Sequence, residues 1–487
     1  MVLARPAVPA TAPPATQPNL LFILTDDQDL LLGSLDVMPR VRALIAAQGA
    51  TFSNHFVPLS LCCPSRTTLL TGLHAHNHRV YTNHSPDGGF ARFHSLGLEE
   101  ESIGPALQRA GYRTGLMGKY VNLYPEGQDK TYVPAGWDEW DAPLGAGGYK
   151  AFNYTMNQNG TLRVHGATPA DYLTDVLRDR ALQFIAADPS KPFFLYLASF
   201  APHTPSTPAP RHADLFRNVH APRTPSFNEA DMRDKPAAMR ARPRLTPADI
   251  ATLDRQYRLR LQSLQAVDEM VGALIQALGD SGQLANTFIV FTSDNGFHMG
   301  QHRMKAGKYT PYEEDVHVPL LVRGPGVAAG TSLDALTESV DIPATLVDLA
   351  EARFTHPLDG RSLVGILRGA PPVQWRQQVL LEQFDFIDSE TFAGEVGEPL
   401  DESNLTVEYP THIGVRTKTF KYVEYSTGER ELYDLKHDPY ELQNLAARAQ
   451  PAALTELSLA ARRLAGCAAA SCRQRERAQL RFPALLP

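Results

Sequence analysis

An α/β fold built on a mostly parallel sheet, with helices on both faces, is what this sequence predicts. Three observations carry that prediction. Short apolar runs of strand length recur at Asn19 to Leu24, Thr114 to Met117, Phe193 to Phe200, Thr287 to Phe291 and Val318 to Val322. Stretches with helical spacing separate them. Charged motifs stand directly after several of the runs, where open parallel sheets gather their ligands.

Taken in order, Asn19 to Leu24 reads as a buried central strand that ends in Thr25-Asp26-Asp27. Pro39 to Ala47 has helical spacing and stops before Gly49; Ser102 to Ala110 is a second helix, leading into the strand at Thr114. Thr168-Pro169-Ala170-Asp171 is a helix start, with an N-cap, a proline in the first turn and an acid at the third position, and predicts a helix to about Ala187. The same device at Thr246-Pro247-Ala248-Asp249 opens a long amphipathic stretch ending near Gly279. The strand from Thr287 leads to Ser293-Asp294-Asn295-Gly296, and the one from Val318 to Arg323-Gly324-Pro325-Gly326. The Pro- and Arg-rich region from Pro202 to Pro247 reads as a long surface excursion, a lid or rim. After about Gln374 the strands shorten, at Val379 to Glu382, Thr419 to Glu424 and around Glu431, before a helix from Pro451 to about Ala465. This predicts a small C-terminal α+β subdomain with an antiparallel sheet. The expected division is a flexible Pro- and Ala-rich tail over 1–18, a main domain over 19–374 and the subdomain over 375–487.

A chain of 487 residues with 43% hydrophobic and 20% charged residues reads as globular. A net charge of -7 argues against a nucleic-acid binder, though a local basic pocket for an anionic substrate is compatible with it. No apolar run has the length of a membrane helix. The first eighteen residues lack the continuous apolar core of a secretory signal. Of four cysteines, Cys62 and Cys63 are adjacent and Cys467 and Cys472 lie close together. The second pair is either a short-loop disulfide of an exported protein or two free thiols of a cytoplasmic one; the disulfide is the preferred expectation.

Asp26, Asp27, Asp294 and Asn295 offer three carboxylates and a carboxamide beyond predicted strands. These are hard oxygen ligands without an accompanying Cys or His cluster, which favours calcium or magnesium over zinc. Each pair alone would equally serve as turn chemistry.

Between them lies Leu61-Cys62-Cys63-Pro64-Ser65-Arg66-Thr67-Thr68-Leu69-Leu70-Thr71-Gly72. It resembles the signature by which type I sulfatases mark one cysteine for oxidation to formylglycine. The plainer alternative is a buried cysteine pair ahead of a helix starting at Pro64-Ser65. The resemblance extends over nearly the whole chain after Gln17. It is nearest to the N-acetylglucosamine-6-sulfatases and related heparan sulfatases, on Gly118-Lys119-Tyr120-Val121-Asn122, Asp171 to Leu177 and Val318 to Gly326 as well as the cysteine motif. It implies an alkaline-phosphatase-like fold and a sulfuric ester hydrolase. Its nucleophile would be formylglycine from Cys62, and its ion, usually calcium, would be held by Asp26, Asp27, Cys62, Asp294 and Asn295.

The resemblance also implies roles for the cations. Arg66 would bind the hydrated aldehyde and the metal-side carboxylates. Lys119 would contact formylglycine and sulfate, His203 the leaving-group oxygen, and Lys308 the sulfate. Lys305 competes for that last role, but the spacing of Lys308 to Tyr312-Glu313 fits the family better. One hydroxyl of the diol would attack sulfur, His203 or Lys308 would protonate the departing alcohol, and loss of the second hydroxyl's proton would expel sulfate. Many sulfatases carry a histidine where this chain has Val121, which leaves the final base unassigned. Asn122, His298 and His302 are candidate substrate contacts. The run His74-x-His76-x-His78 is read as a rim beside the active-site helix in preference to a metal site. The expected substrate is a glucosamine-type sugar 6-sulfate. A broad arylsulfatase, a phosphonate or phosphodiester hydrolase and a non-catalytic sulfated-glycan binding protein are the rivals. The implied partners are a sulfated small molecule or glycan and a formylglycine-generating enzyme, and the implied location is periplasmic or secreted.

Overall fold

The computed structural model describes residues 17–384 and 410–480, so the tail expected over 1–18 lies almost wholly outside the described residues. The centre is a ten-stranded sheet. In chain order its strands are β1 (Asn19–Thr25), β2 (Ala50–Phe52), β3 (Arg113–Gly118), β4 (Glu139–Pro143), β5 (Tyr154–Gln158), β6 (Thr161–His165), β7 (Phe193–Ala198), β8 (Thr287–Ser293), β9 (Leu320–Arg323) and β10 (Thr331–Leu333). In space they run β10-β2-β9-β8-β1-β7-β3-β4-β5-β6. The block β8-β1-β7-β3-β4 is parallel throughout. β9 is antiparallel to both its neighbours, and β5 and β6 form a hairpin at one edge.

Every residue of β1, β7 and β8 is buried, which is why these strands read as unbroken apolar runs. The period of two divides them between two cores. Leu20, Phe22 and Leu24 face the helices α2 (Cys62–Thr71), α3 (Ile103–Arg109) and α6 (Asp341–Leu349). Leu21 and Ile23 face α1 (Pro39–Leu44), α4 (Leu173–Ala187) and α5 (Pro247–Asp280).

Three local expectations are corrected. The capping box at Thr168 heads only a 3-10 turn, Pro169–Asp171; Tyr172 is extended (φ -60°, ψ 119°) and α4 starts after it. The helix that the plainer alternative started at Pro64-Ser65 begins at Cys62. The excursion from Pro202 is not simply surface: Met232 and Met239 are buried with Met304, Tyr312 and Tyr433. At Thr246, by contrast, α5 follows the capping box directly.

A separate sheet of four antiparallel strands, β11 (Val379–Gln383), β12 (His412–Arg416), β13 (Phe420–Tyr425) and β14 (Arg430–Asp434), follows, and α7 (Pro451–Ala465) packs on it through Ala460, Ala461 and Leu464. Cys467 and Cys472 form a disulfide. The two sheets are tied by buried charge. Arg376 reaches Asp341 at 2.5 Å, Glu476 at 2.8 Å and Glu338 at 3.2 Å. The histidine run joins this tie: His74 lies 4.0 Å from Glu476, and His76 pairs with Glu382 at 2.7 Å and with the Cys467 carbonyl at 2.9 Å.

Candidate active site

The carboxyl ends of four parallel strands converge on one point. β1 and β8 pair in register to Thr25 and Ser293, so Asp26 and Asp27 emerge beside Asp294 and Asn295. Asp27 has φ 63°, a left-handed conformation that few non-glycine residues adopt, and its N–H donates to Asp294 Oδ1 at 3.0 Å. β3 delivers Lys119 through Gly118, whose φ is 101°. A Cβ there would stand 1.8 Å from the Ala198 carbonyl oxygen, so this turn requires glycine. The chain after β7 brings His203.

Helix α2 enters this point at its N-terminus, with Cys62 in its first turn and every residue buried. Asp26 Oδ1 is 3.4 Å and Asp27 Oδ1 3.9 Å from Cys62 Sγ. Lys308 follows the short pairing of His298–Met299 with Ala306–Gly307. Its Nζ is 2.6 Å from Cys62 Sγ and 2.7 Å from Asp27 Oδ1. Lys119 Nζ donates to Asp26 Oδ2 at 2.8 Å. Arg66 is fully buried; its Nε donates to Asp294 Oδ2 at 2.8 Å and its Nη1 to the Lys119 carbonyl at 2.9 Å. His203 Nδ1 meets the Thr204 carbonyl at 2.7 Å. A carbonyl only accepts, so Nδ1 carries a proton, and Nε2 lies 3.6 Å from Asp27 Oδ2.

Three carboxylates and three cations thus balance within a largely buried cluster. Burial alone would raise the Asp26 carboxyl, but Lys119 and Arg66 beside it hold it well below the usual range. Burial and the neighbouring Asp26 charge lift Asp294 to about 6. Burial drives the Cys62 thiol well above its ordinary value, so an unaltered cysteine here is a poor nucleophile.

Oxygens of Asp26 and Asp27, Cys62 Sγ and a ring nitrogen of His203 lie within 4.8 Å of one another. Asn295 gives its amide N–H groups to Asp27 Oδ1 at 2.7 Å and the Gly296 carbonyl at 2.8 Å. Its Oδ1 is buried with no hydrogen-bond partner among the described residues. An orphaned carbonyl oxygen beside clustered carboxylates fits a hard cation.

The other sequence candidates are placed as follows. Lys305 pairs with Asp249 at 3.2 Å, away from Cys62. Val121 is part of the apolar core, and Asn122 next to it is buried. His298 is buried beside Gly307, with Nδ1 held by both oxygens of Asp315 at 2.9 Å. Among the described residues no contact brings His302 to Cys62; it is buried, with Nδ1 on Glu229 at 2.6 Å and its ring stacked on Tyr312 at 4.2 Å. Two neighbours of the cluster escaped the sequence reading. Arg260 of α5 is buried, donates to the Asp27 carbonyl and pairs with Asp29 at 3.3 Å. Tyr149 lies against both Lys119 and His203. Arg260 was masked by the amphipathic pattern of its helix, and Tyr149 lies in no motif.

Known proteins share this architecture. The family model described as Sulfatase matches residues 18–352. N-acetylglucosamine-6-sulfatase from Capra hircus is 36% identical over 96% of this chain and 86% of its own length. A solved structure of a protein in complex with its substrate D-glucosamine-2-N,6-O-disulfate superposes with a TM-score of 0.72 at 25% identity, covering 88% of this chain and 93% of that one. The phosphonate monoester hydrolase from Silicibacter pomeroyi gives 0.71 at 25% identity, over 92% and 94%. With this match over most of its length, and a buried cysteine, cations and carboxylates gathered at the ends of parallel strands, the chain belongs to the sulfatase family and is a sulfuric ester hydrolase.

Proposed function

We propose that this chain hydrolyses the 6-sulfate of a glucosamine-type sugar, with residue 62 converted to formylglycine. One observation carries the reading: Lys308 and Asp26 both lie against Cys62, and Lys119 lies against Asp26. That is a nucleophile position set among preorganised cations, as an ester with anionic non-bridging oxygens demands. The sugar assignment is supported by the Capra hircus relative and by the neighbour bound to glucosamine disulfate.

Formylglycine would supply a hydrated aldehyde whose hydroxyl attacks sulfur. Asp26, Asp27, Asp294 and Asn295 would hold a divalent cation, calcium with magnesium as alternative, which would supply positive charge against the sulfate oxygens. The chain's own residues do the rest. Lys119 and Lys308 neutralise the non-bridging oxygens as charge builds. Arg66 locks Asp294 and the Lys119 backbone, which fixes both sides of the cluster. His203, whose Nδ1 donates to the Thr204 carbonyl, gives the Nε2 proton of its imidazolium form to the leaving alcohol oxygen and is left neutral.

Maturation would need a formylglycine-generating enzyme as partner. An oxidising compartment, periplasmic or extracellular, is supported by the disulfide at Cys467 and Cys472. No helix among the described residues is long and apolar enough to cross a membrane.

The test is sulfate release from N-acetylglucosamine-6-sulfate beside p-nitrophenyl sulfate and phenyl phosphonate esters, with protein coexpressed with the maturation enzyme. Release from the sugar is the expected result. Turnover of the aryl ester alone, or of the phosphonate in preference, overturns the sugar assignment. The phosphonate arm is included because a phosphonate hydrolase is among the structural neighbours.

A further inference from the structure

We infer that Tyr149 is a positioning residue of the sulfate site, its ring face holding Lys119 and His203 in place together. The inference rests on the roles proposed above for those two residues. Lys119 Nζ sits 4.9 Å from the centre of the Tyr149 ring. The His203 ring lies 4.5 Å from it at 42°. Asp26 holds the same Nζ at 2.8 Å, so the ammonium is fixed between a carboxylate and an aromatic face. One side chain therefore touches a cation that would bind sulfate and the imidazole that would serve the leaving group.

The surrounding chain is shaped to bring the ring there. Tyr149 belongs to a 3-10 turn, Gly147–Lys150, which follows β4 and its loop. The preceding Gly148 faces Phe200, and a Cβ on it would stand 2.3 Å from that ring. Only glycine lets the turn approach so closely. Phe200 then meets Tyr149 edge-on at 5.1 Å and 90°. The turn is anchored on its far side, where the N–H of Leu173 at the start of α4 donates to the Ala151 carbonyl at 3.0 Å. Phe200 precedes His203 by three residues, so the ring packs on the segment that carries the imidazole as well as on the imidazole itself.

A ring that only filled space would be replaceable by an aliphatic side chain of similar size. A ring that orients a desolvated cation would not, because the attraction comes from the π face. The hydroxyl is not needed for this.

The experiment compares Y149F and Y149L with the parent protein, monitoring thermal midpoint and conversion of Cys62 by peptide mass. Two readouts are taken: kcat and KM for sulfate ester hydrolysis, and binding of inorganic sulfate by titration calorimetry. Y149F stays within about twofold of the parent in both, since the face is retained. Y149L loses about tenfold in kcat/KM and binds sulfate several-fold more weakly, at unchanged conversion. Y149M serves in its place if Y149L does not fold. Equal behaviour of Y149L and the parent overturns the proposal, as does a Y149F as impaired as Y149L, which would assign the role to the hydroxyl. If the parent releases no sulfate from any ester, the proposed function fails, and the sulfate-binding comparison alone still decides the role of Tyr149.

Discussion

Two lysines three residues apart show how far single residues can be separated by geometry. Lys308 reaches Cys62 and Asp27, whereas Lys305 reaches Asp249 in the first turn of α5. Replacing Lys305 with alanine removes a partly exposed pair and should change kcat by no more than about twofold. Lys119→Ala removes a buried cation aimed at developing charge and should lower kcat by about 10²- to 10³-fold. Steady-state kinetics of the two variants, at equal conversion of Cys62, checks both. The acids and Cys62 were readable because they follow strand-like runs or sit in a dense motif. Tyr149 and Arg260 were not, because a tyrosine in a Gly-rich loop and an arginine in an amphipathic helix carry no local signal. His302 shows the reverse case. Its place after Asp294-Asn295-Gly296 suggested the site, but the left-handed backbone at His302 and Arg303 turns the chain toward Glu229 and Tyr312.

At the scale of elements, the strands and most helices were legible from period and caps. The long helix α5 starts where Thr246 and Asp249 said it would, while the same motif at Thr168 yields only a turn. The difference is Tyr172, drawn into the core by the Thr207 carbonyl and by Phe152, which breaks the helical backbone before α4. The antiparallel sense of β9 was unreadable, since an apolar run has no direction until its partners are known. Gly118 gives this scale its prediction. Gly118→Ala places a methyl group against the Ala198 carbonyl in a left-handed turn. It should lower the thermal midpoint and cut kcat at least about tenfold, because the turn that displaces it carries Lys119. A Gly118→Ala variant with parental kinetics would contradict the placement of Lys119.

Across the whole molecule, the tie between the sheets governs how stability responds to pH. Burial opposes a charge on His74, but the Glu476 carboxylate beside it and the nearby Glu338, Asp359 and Glu382 raise it to about 10. Its contribution is therefore complete below the ordinary value of 6.5 and is lost as pH climbs toward 10. Burial likewise opposes ionisation of Glu476, but Arg376 and His74 lower it to about 2, so its contribution is complete above 4.5 and is lost as pH falls toward 2. Burial lifts Glu338 to about 7, so its protonated form favours the folded state at low pH and that contribution is lost as pH rises from 4.5 to 7. The urea midpoint should decline steadily from pH 6.5 toward 10, and His74→Gln should flatten that decline.

The closed surroundings of α2 carry a consequence in time. No residue of that helix is exposed, and Ser65 within it donates to the carbonyl of Asp294. Once β8 has docked beside β1, Cys62 is buried. Asp294 lies 232 positions further along the chain than Cys62 (294 minus 62). At synthesis rates of about 5–20 residues per second, β8 arrives on the order of tens of seconds after the cysteine. If a partner oxidises Cys62, as proposed above, that interval is when the thiol is most open to it, so the activity of a preparation should record how the chain was made as much as how well it folded.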